Sequence, residues 1–239
     1  MSHMSAQELA QQRLADVTGI DDSAVQHGQT TKSVYVYEAP VRLWHWINAL
    51  AIVVLAVSGY FIGKPLPTMT GEASDNFLMG YIRFAHFTAG YLLAVGLIGR
   101  AYWALVGNHH ARELFTLPVF NAAYWREVIT MLKWYAFLIP RPSRYVGHNP
   151  LGFLSVLALL GFSLLQVFTG LFSDDEIASS GPLTKFVSGK WVSLASEYHA
   201  DIGKVILIVL VLLHIAAIVY YRMVKHLDLV HPMWTGDKE

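Results

Sequence analysis

Residues 191–223 read WVSLASEYHADIGKVILIVLVLLHIAAIVYYRM, an apolar stretch long enough to cross a membrane as one helix. It contains two histidines, His199 and His214, which lie fifteen residues apart. On a regular helix they would stand about 22 Å apart along the axis and about 60° apart around it. One helix face would then carry an imidazole near each end of a hydrocarbon layer about 30 Å thick.

The composition indicates a membrane protein. Of the 239 residues, 54% are hydrophobic and only 14% are charged, whereas about a quarter of a soluble domain is charged. The formal net charge is zero, so no nucleic-acid partner is expected. Because cysteine is absent, disulfides, cysteine-ligated iron–sulfur clusters and covalently attached haem are excluded. Any iron must therefore be held by histidine, and any haem must be bound non-covalently.

Three more apolar stretches, at residues 41–62, 81–106 and 151–172, are also long enough to span. The predicted fold class is all-α, an integral membrane four-helix bundle. Residues 121–138 mix apolar and charged side chains, which favours an extra amphipathic helix in the membrane interface. The alternative is a helix packed on its own bundle.

The chain divides into three predicted parts. Residues 1–33 are a polar N-terminal arm without the apolar segment of a cleavable signal peptide. Residues 34–225 form the transmembrane domain, and residues 226–239 form a cytoplasmic tail.

The distribution of Lys and Arg predicts the orientation in the membrane. Eleven lie in the N-terminal flank, the 107–149 connector and the tail, and five lie on the opposite side. Because cytoplasmic loops carry an excess of these residues, both termini and the connector should be cytoplasmic in a bacterial inner membrane.

Two further histidines, His45 and His86, lie near the starts of the first and second spans. Depth in the membrane pairs His86 with His199 near the outer face and His45 with His214 near the inner face. Each pair comes from two helices that share a core, which is how bundles build cofactor sites. We interpret the pairs as axial ligands of two haems b suited to electron transfer. The alternative is that all four are hydrogen-bonded core residues.

Several polar residues near the span ends are further candidates. Haem propionates require cations, and Arg83 near the outer pair and Arg42 or Arg144 near the inner pair are suitable, although all three could simply snorkel to the interface. Histidine can donate a hydrogen bond to a quinone or relay a proton near neutral pH. The candidates for a quinone site are Asn108, His109, His110 and His148, with a solvated turn as the alternative.

Four stretches resemble the cytochrome b subunit of membrane-bound uptake nickel–iron hydrogenases. They are VYVYEAPVRLWHWINALAIVVLAVSGYFIG, GEASDNFLMGYIRFAHFTAGY, GRAYWALVGNHHARELF and RPSRYVGHNPL, which together cover roughly residues 34–152. The resemblance implies that the histidines matching His45 and His86 ligate two haems b. It also implies electron transfer to a quinone from the small, iron–sulfur subunit of a hydrogenase. That small subunit is expected to be bound to the hydrogenase large subunit.

The last span departs from the hydrogenase pattern. HIAAIVYYRMVKHLDLVHPMWTG resembles small bacterial cytochromes of the b561 type, and the histidine spacing is fifteen where about fourteen is expected. A free-standing b561-type cytochrome that oxidises a small reductant and reduces quinone is therefore an alternative function. A haem-free membrane anchor is another. The chain has no nickel ligands and is not expected to oxidise hydrogen by itself.

Overall fold

The computed structural model of the chain describes residues 34–66, 77–113, 120–139, 149–174, 180–226 and 228–238. Within these ranges, four helices are long and apolar enough to cross a membrane. They are α1 (Ala39–Gly63), α2 (Leu78–Val106), α5 (Pro150–Phe172) and a last helix over Gly189–Val224. The predicted all-α membrane bundle is confirmed. Each predicted span boundary agrees with the helix to within three residues.

The remaining elements of the described chain are short. They are β1 (Val34–Tyr35), α3 (His109–Arg112), α4 (Ala122–Tyr135), a 3₁₀ turn (Thr184–Phe186), α8 (Pro232–Thr235) and β2 (Asp237–Lys238). The predicted N-terminal arm, residues 1–33, lies outside the described residues.

The last span is not a regular α-helix. It consists of α6 (Gly189–Glu197), a π-helical turn (Tyr198–Gly203), α7 (Lys204–Tyr220) and a second π turn (Tyr221–Lys225). His199 lies inside the first π turn. Because a π turn closes i→i+5 hydrogen bonds and accommodates about one extra residue, it alters the separation of His199 and His214 estimated for a regular helix.

The first two spans pack closely along a small core. Ala51 of α1 lies against Ala89, Leu93 and Leu97 of α2, and all four are buried. Small side chains let the two backbones approach, which is how membrane helices gain van der Waals contact where lipid is as apolar as they are. α2 then contacts α5, and α5 contacts the last span, so the spans form one bundle.

The amphipathic helix α4 is shorter than the predicted segment and presents two apolar rows. Met131 and Trp134 are buried against Tyr221 of the last span. A second row, Ile129 and Leu132 with Trp125, is exposed. One row therefore anchors α4 to the bundle, and the other suits a helix at the membrane surface.

The C-terminal residues fold back onto the start of α1. β1 and β2 pair antiparallel, and the carbonyl of Gly236 accepts hydrogen bonds from the backbone amides of Val36 and Tyr37. The Trp46 indole donates to the carbonyl of Met233 at 2.9 Å and stacks on Trp234 with 4.5 Å between ring centres. The two ends of the described chain thus lie at one end of the bundle. We call residues 228–238 the tail clasp.

Candidate functional site

His86 of α2 and His199 of the last span meet between their helices. Their ring centres are 6.2 Å apart and their planes are nearly perpendicular, at 84°. Both belong to apolar spans, and each is held through its Nδ1 atom by a neighbouring helix. The structure therefore brings together the two histidines that depth paired near the outer face.

This separation fits two imidazoles on opposite sides of one iron atom. A metal–nitrogen bond of about 2 Å, plus about 1 Å from that nitrogen to its ring centre, places two axial ring centres about 6 Å apart. Two directly hydrogen-bonded imidazoles would stand closer, at about 5 Å. The spacing of the pair is thus compatible with the predicted bis-histidine ligation, which stays a prediction.

Hydrogen bonds orient both rings. His86 Nδ1 lies 2.9 Å from the hydroxyl of Ser58 on α1. His199 Nδ1 lies 3.0 Å from the carbonyl of Gln166 and 3.3 Å from the hydroxyl of Thr169, both on α5. The Gln166 amide also donates to the carbonyl of His199 at 2.8 Å, which provides a partner for a backbone group within the π turn.

The second pair lies at the opposite end of the bundle. His45, in α1, lies within electrostatic range of His214 in α7. The His45 ring packs edge-to-face on Trp46 at 5.1 Å. Its Nδ1 is buried and has no hydrogen-bond partner among the described residues, in contrast to the two Nδ1 atoms of the first pair.

The three arginines predicted to bind propionates have different environments. Arg42 donates to the backbone carbonyl of Trp234 in the tail clasp. Arg83 is on α2, one turn before His86, and is partly buried. Arg144 lies outside the described residues. Their assignment to haem stays a prediction.

The predicted quinone residues form a connected polar turn after α2. The side chain of Asn108 caps α3 by accepting from Ala111 at 2.9 Å, and its backbone amide donates to Glu38 at 2.7 Å. His110 Nδ1 is 2.9 Å from Glu113, and His109 packs edge-to-face on His110. These contacts suffice to build the turn, so a quinone role stays a prediction. His148 lies outside the described residues.

Sequence inspection missed the residues that support the histidines. Ser58, Thr169 and Gln166 were among the few polar groups inside otherwise apolar spans, and that isolation was the available signal. Tyr37, before α1, was also missed. Burial, with a contribution from the nearby Glu113 carboxylate, raises the pKa of Tyr37 to about 12, so this phenol remains a hydrogen-bond donor at neutral pH.

In the described part of the chain, the side chains suited to holding a metal are arranged as pairs of histidines. Within it, no three or more His, Cys, Asp or Glu side chains converge as they would around an ion bound by protein alone. Two imidazoles suffice when a porphyrin supplies the other four nitrogens.

Comparison with known proteins identifies the class. Residues 36–236 match the family model described as prokaryotic cytochrome b561. Three similar proteins are each called probable Ni/Fe-hydrogenase B-type cytochrome subunit. The one from Cupriavidus necator is 50% identical over 94% of both chains. The one from Azotobacter vinelandii is 47% identical over 85% of this chain and 88% of its own. The one from Bradyrhizobium diazoefficiens is 43% identical over 91% of both.

The chain therefore belongs to the prokaryotic cytochrome b561 family. It is a membrane cytochrome of the b type, so its cofactor is haem b and its activity is electron transfer. One family model covers all four spans and most of the tail clasp. The unusual last span thus belongs to the same family as the first three.

Proposed function

We propose that this chain is the electron-transfer subunit of a membrane-bound hydrogenase. It would pass electrons through two haems b from a hydrogenase iron–sulfur subunit, itself bound to the large subunit, to a quinone. The observation that carries the proposal is the approach of His86 and His199 from two different spans, with 6.2 Å between their ring centres. The hydrogenase partner is supported by the printed names of relatives that align over nearly the whole chain.

The proposed ligands are His86 and His199 for one haem and His45 and His214 for the other. Held by the two imidazoles of a pair, each haem would supply outer-sphere electron transfer. The apolar spans surround both pairs and exclude water from them. Arg83, Arg42 and Arg144 are proposed to pair with propionates, because each is near a span end.

The proposed orientation places the tail clasp in the cytoplasm and the 63–80 and 173–190 loops at the periplasmic face of a bacterial inner membrane. The loops would contact the hydrogenase small subunit. The turn containing Asn108, His109 and His110, together with His148, would contact quinone at the opposite end. Electrons would then enter at His86 and His199 and leave near His45 and His214.

Haem content tests the proposal directly. We expect about two haems b per purified chain by pyridine extraction, and about one in either His45→Ala or His86→Ala, because each variant removes one axial ligand. His231→Ala is the matched control, since the His231 side chain is exposed in the tail clasp and is not one of the proposed ligands. Fewer than two haems in the unmodified chain, or full retention in both variants, would contradict the proposal.

A free-standing cytochrome remains the second candidate, favoured by the description of the family that matches the chain. Co-purification of hydrogenase subunits with the tagged chain supports the first candidate. Quinone reduction by the isolated chain with a small diffusible reductant, without such subunits, supports the second.

A further inference from the structure

A short pattern occurs twice in the bundle, at corresponding ends of α1 and α5. Residues 58–61 read SGYF and residues 169–172 read TGLF, so each has a hydroxyl residue, a glycine, any residue and a phenylalanine. α1 and α5 run in the same direction, and each pattern lies in the last two turns of its helix. Each one contacts a histidine of another span.

The hydroxyl in each pattern fixes the proton on the histidine. The Ser58 hydroxyl oxygen is 2.6 Å from the carbonyl of Val54 one turn earlier, a distance that requires the hydroxyl proton between them. Ser58 has no second proton, so the contact at 2.9 Å is donated by His86 Nδ1–H. A neutral imidazole with its proton on Nδ1 has an unprotonated Nε2 available for a metal.

The second pattern has the same geometry. The Thr169 hydroxyl donates to the carbonyl of Leu165 at 2.9 Å. His199 Nδ1–H then donates to the Thr169 oxygen at 3.3 Å and to the carbonyl of Gln166 at 3.0 Å. Both histidines of the pair are thus held in the same tautomer by a helical hydroxyl whose own proton is already used.

The glycine in each pattern provides room for the ring. A Cβ atom on Gly59 would lie 3.2 Å from Cε1 of His86, and one on Gly170 would lie 2.9 Å from Cε1 of His199. Real Cβ atoms rarely approach so closely, so a side chain at either position would push the imidazole away. The hydroxyl and the glycine together form what we call a cradle. The hydroxyl accepts a hydrogen bond from Nδ1–H of one ring, and the glycine leaves room for the edge of that ring.

We propose that Ser58–Gly59 and Thr169–Gly170 are matched cradles that position His86 and His199 and set the electron density that these rings donate to haem iron. The inference rests on the proposed ligand role of this pair. An acceptor on Nδ1–H makes the imidazole more basic, which stabilises ferric iron. The buried Nδ1 of His45 has no such acceptor among the described residues. With the other ligands unchanged, each cradle should accordingly lower the midpoint potential of the haem that it serves.

Redox titration and low-temperature EPR of the purified, haem-loaded chain test the cradles. Ser58→Ala removes the hydroxyl acceptor of His86. Thr169→Val removes, with little change in volume, one of the two acceptors of His199 and leaves the Gln166 carbonyl in place, so the smaller effect is expected there. We expect the midpoint potential of one haem to rise and that of the other to stay unchanged. The g-anisotropy of the same haem should shift, because it reports the angle between the imidazole planes. Ser163→Ala is the control, since Ser163 is a buried residue on the same helix as Thr169, and no hydrogen bond joins its hydroxyl to a histidine among the described residues.

The outcomes distinguish a failure of the cradle from a failure of the ligand assignment. If His86→Ala retains both haems, the proposed function fails. If His86→Ala loses one haem while Ser58→Ala and Thr169→Val keep wild-type potentials and EPR spectra, the cradle alone fails. An equal shift in Ser163→Ala also overturns it. Should Thr169→Val lose haem, Thr169→Ser decides: retention of the wild-type potential supports the cradle, and loss of haem overturns it.

Discussion

At the scale of single residues, glycines of the spans differ in what they face. A Cβ on Gly99 would lie 2.6 Å from the Trp44 ring of α1, beside His45. Trp44 also packs edge-to-face on Trp103, so its rigid ring is held from two sides. By contrast, a Cβ on Gly161 of α5 would have nothing within 4 Å. Gly99 is therefore required for contact between α1 and α2, and Gly161 is not.

Replacing each glycine by alanine tests this difference. Gly99→Ala should destabilise the chain by about 1–3 kcal/mol, the usual cost of overpacking, and should perturb the optical spectrum of the haem nearest Trp44. Gly161→Ala should be neutral or stabilise by up to about 1 kcal/mol, since alanine is the better helix former. Thermal unfolding in detergent measures both. Equal effects of the two variants would contradict the packing assigned to Gly99.

At the scale of elements, α4 shows how an amphipathic pattern can serve two surfaces. Met131 is fully buried at 0% exposure, whereas the adjacent Leu132 is 51% exposed. Trp134 and Tyr221, with Tyr220 and Leu151 around them, complete the contact between α4 and the bundle. α4 is thereby fixed to the start of α5 and the end of the last span.

The two neighbouring apolar residues of α4 should respond differently to truncation. Met131→Ala should cost about 2–5 kcal/mol, because it removes a fully buried side chain from a packed cluster. Leu132→Ala, a change of similar size on the same helix, should cost much less. The unfolding midpoint of each purified variant measures the difference. Similar losses would show that the exposed row of α4 contributes as much as the buried one.

At the scale of the whole molecule, the tail clasp joins the two ends of the described chain. It packs on α1 next to His45 through the Trp46–Trp234 stack and the Trp46–Met233 hydrogen bond. Tyr35 and the carbonyl of Tyr37 approach Gly236, whose φ of +94° suits glycine alone. The clasp thus supports the end of the bundle that holds the second histidine pair.

Loss of the Trp46–Trp234 stack should loosen the contact between the tail clasp and α1. Trp234→Ala should speed limited proteolysis of the tail and lower retention of the haem assigned to His45, because the contact with Trp46 is lost. Trp191→Ala is the control, since Trp191 has the same 63% exposure as Trp234 but lies at the start of α6. Proteolysis of membrane-embedded protein followed by mass spectrometry gives the rates. Faster proteolysis of the tail in Trp191→Ala, or an unchanged rate in Trp234→Ala, would argue against the clasp.

The sequence by itself determined the class of fold, and it predicted the pairing of histidines by depth. The number and length of the spans follow from runs of apolar residues, because a bilayer requires about 20 of them per helix. The histidines could be assigned to helix ends because consecutive spans must run in opposite directions. The family resemblance followed from motifs around His45 and His86 and agrees with the match over residues 36–236.

Only the tertiary structure decided how those histidines are held. Ser58 and Thr169 lie 28 and 30 residues from the rings they contact, and no local pattern states which helices will be neighbours. The π turn at His199 and the tail clasp likewise depend on side chains from distant segments, namely Gln166 and Trp46. A long run of apolar residues predicts a membrane helix, because lipid solvates every apolar side chain alike. For the same reason it leaves helix packing to the few polar and glycine contacts that form on folding.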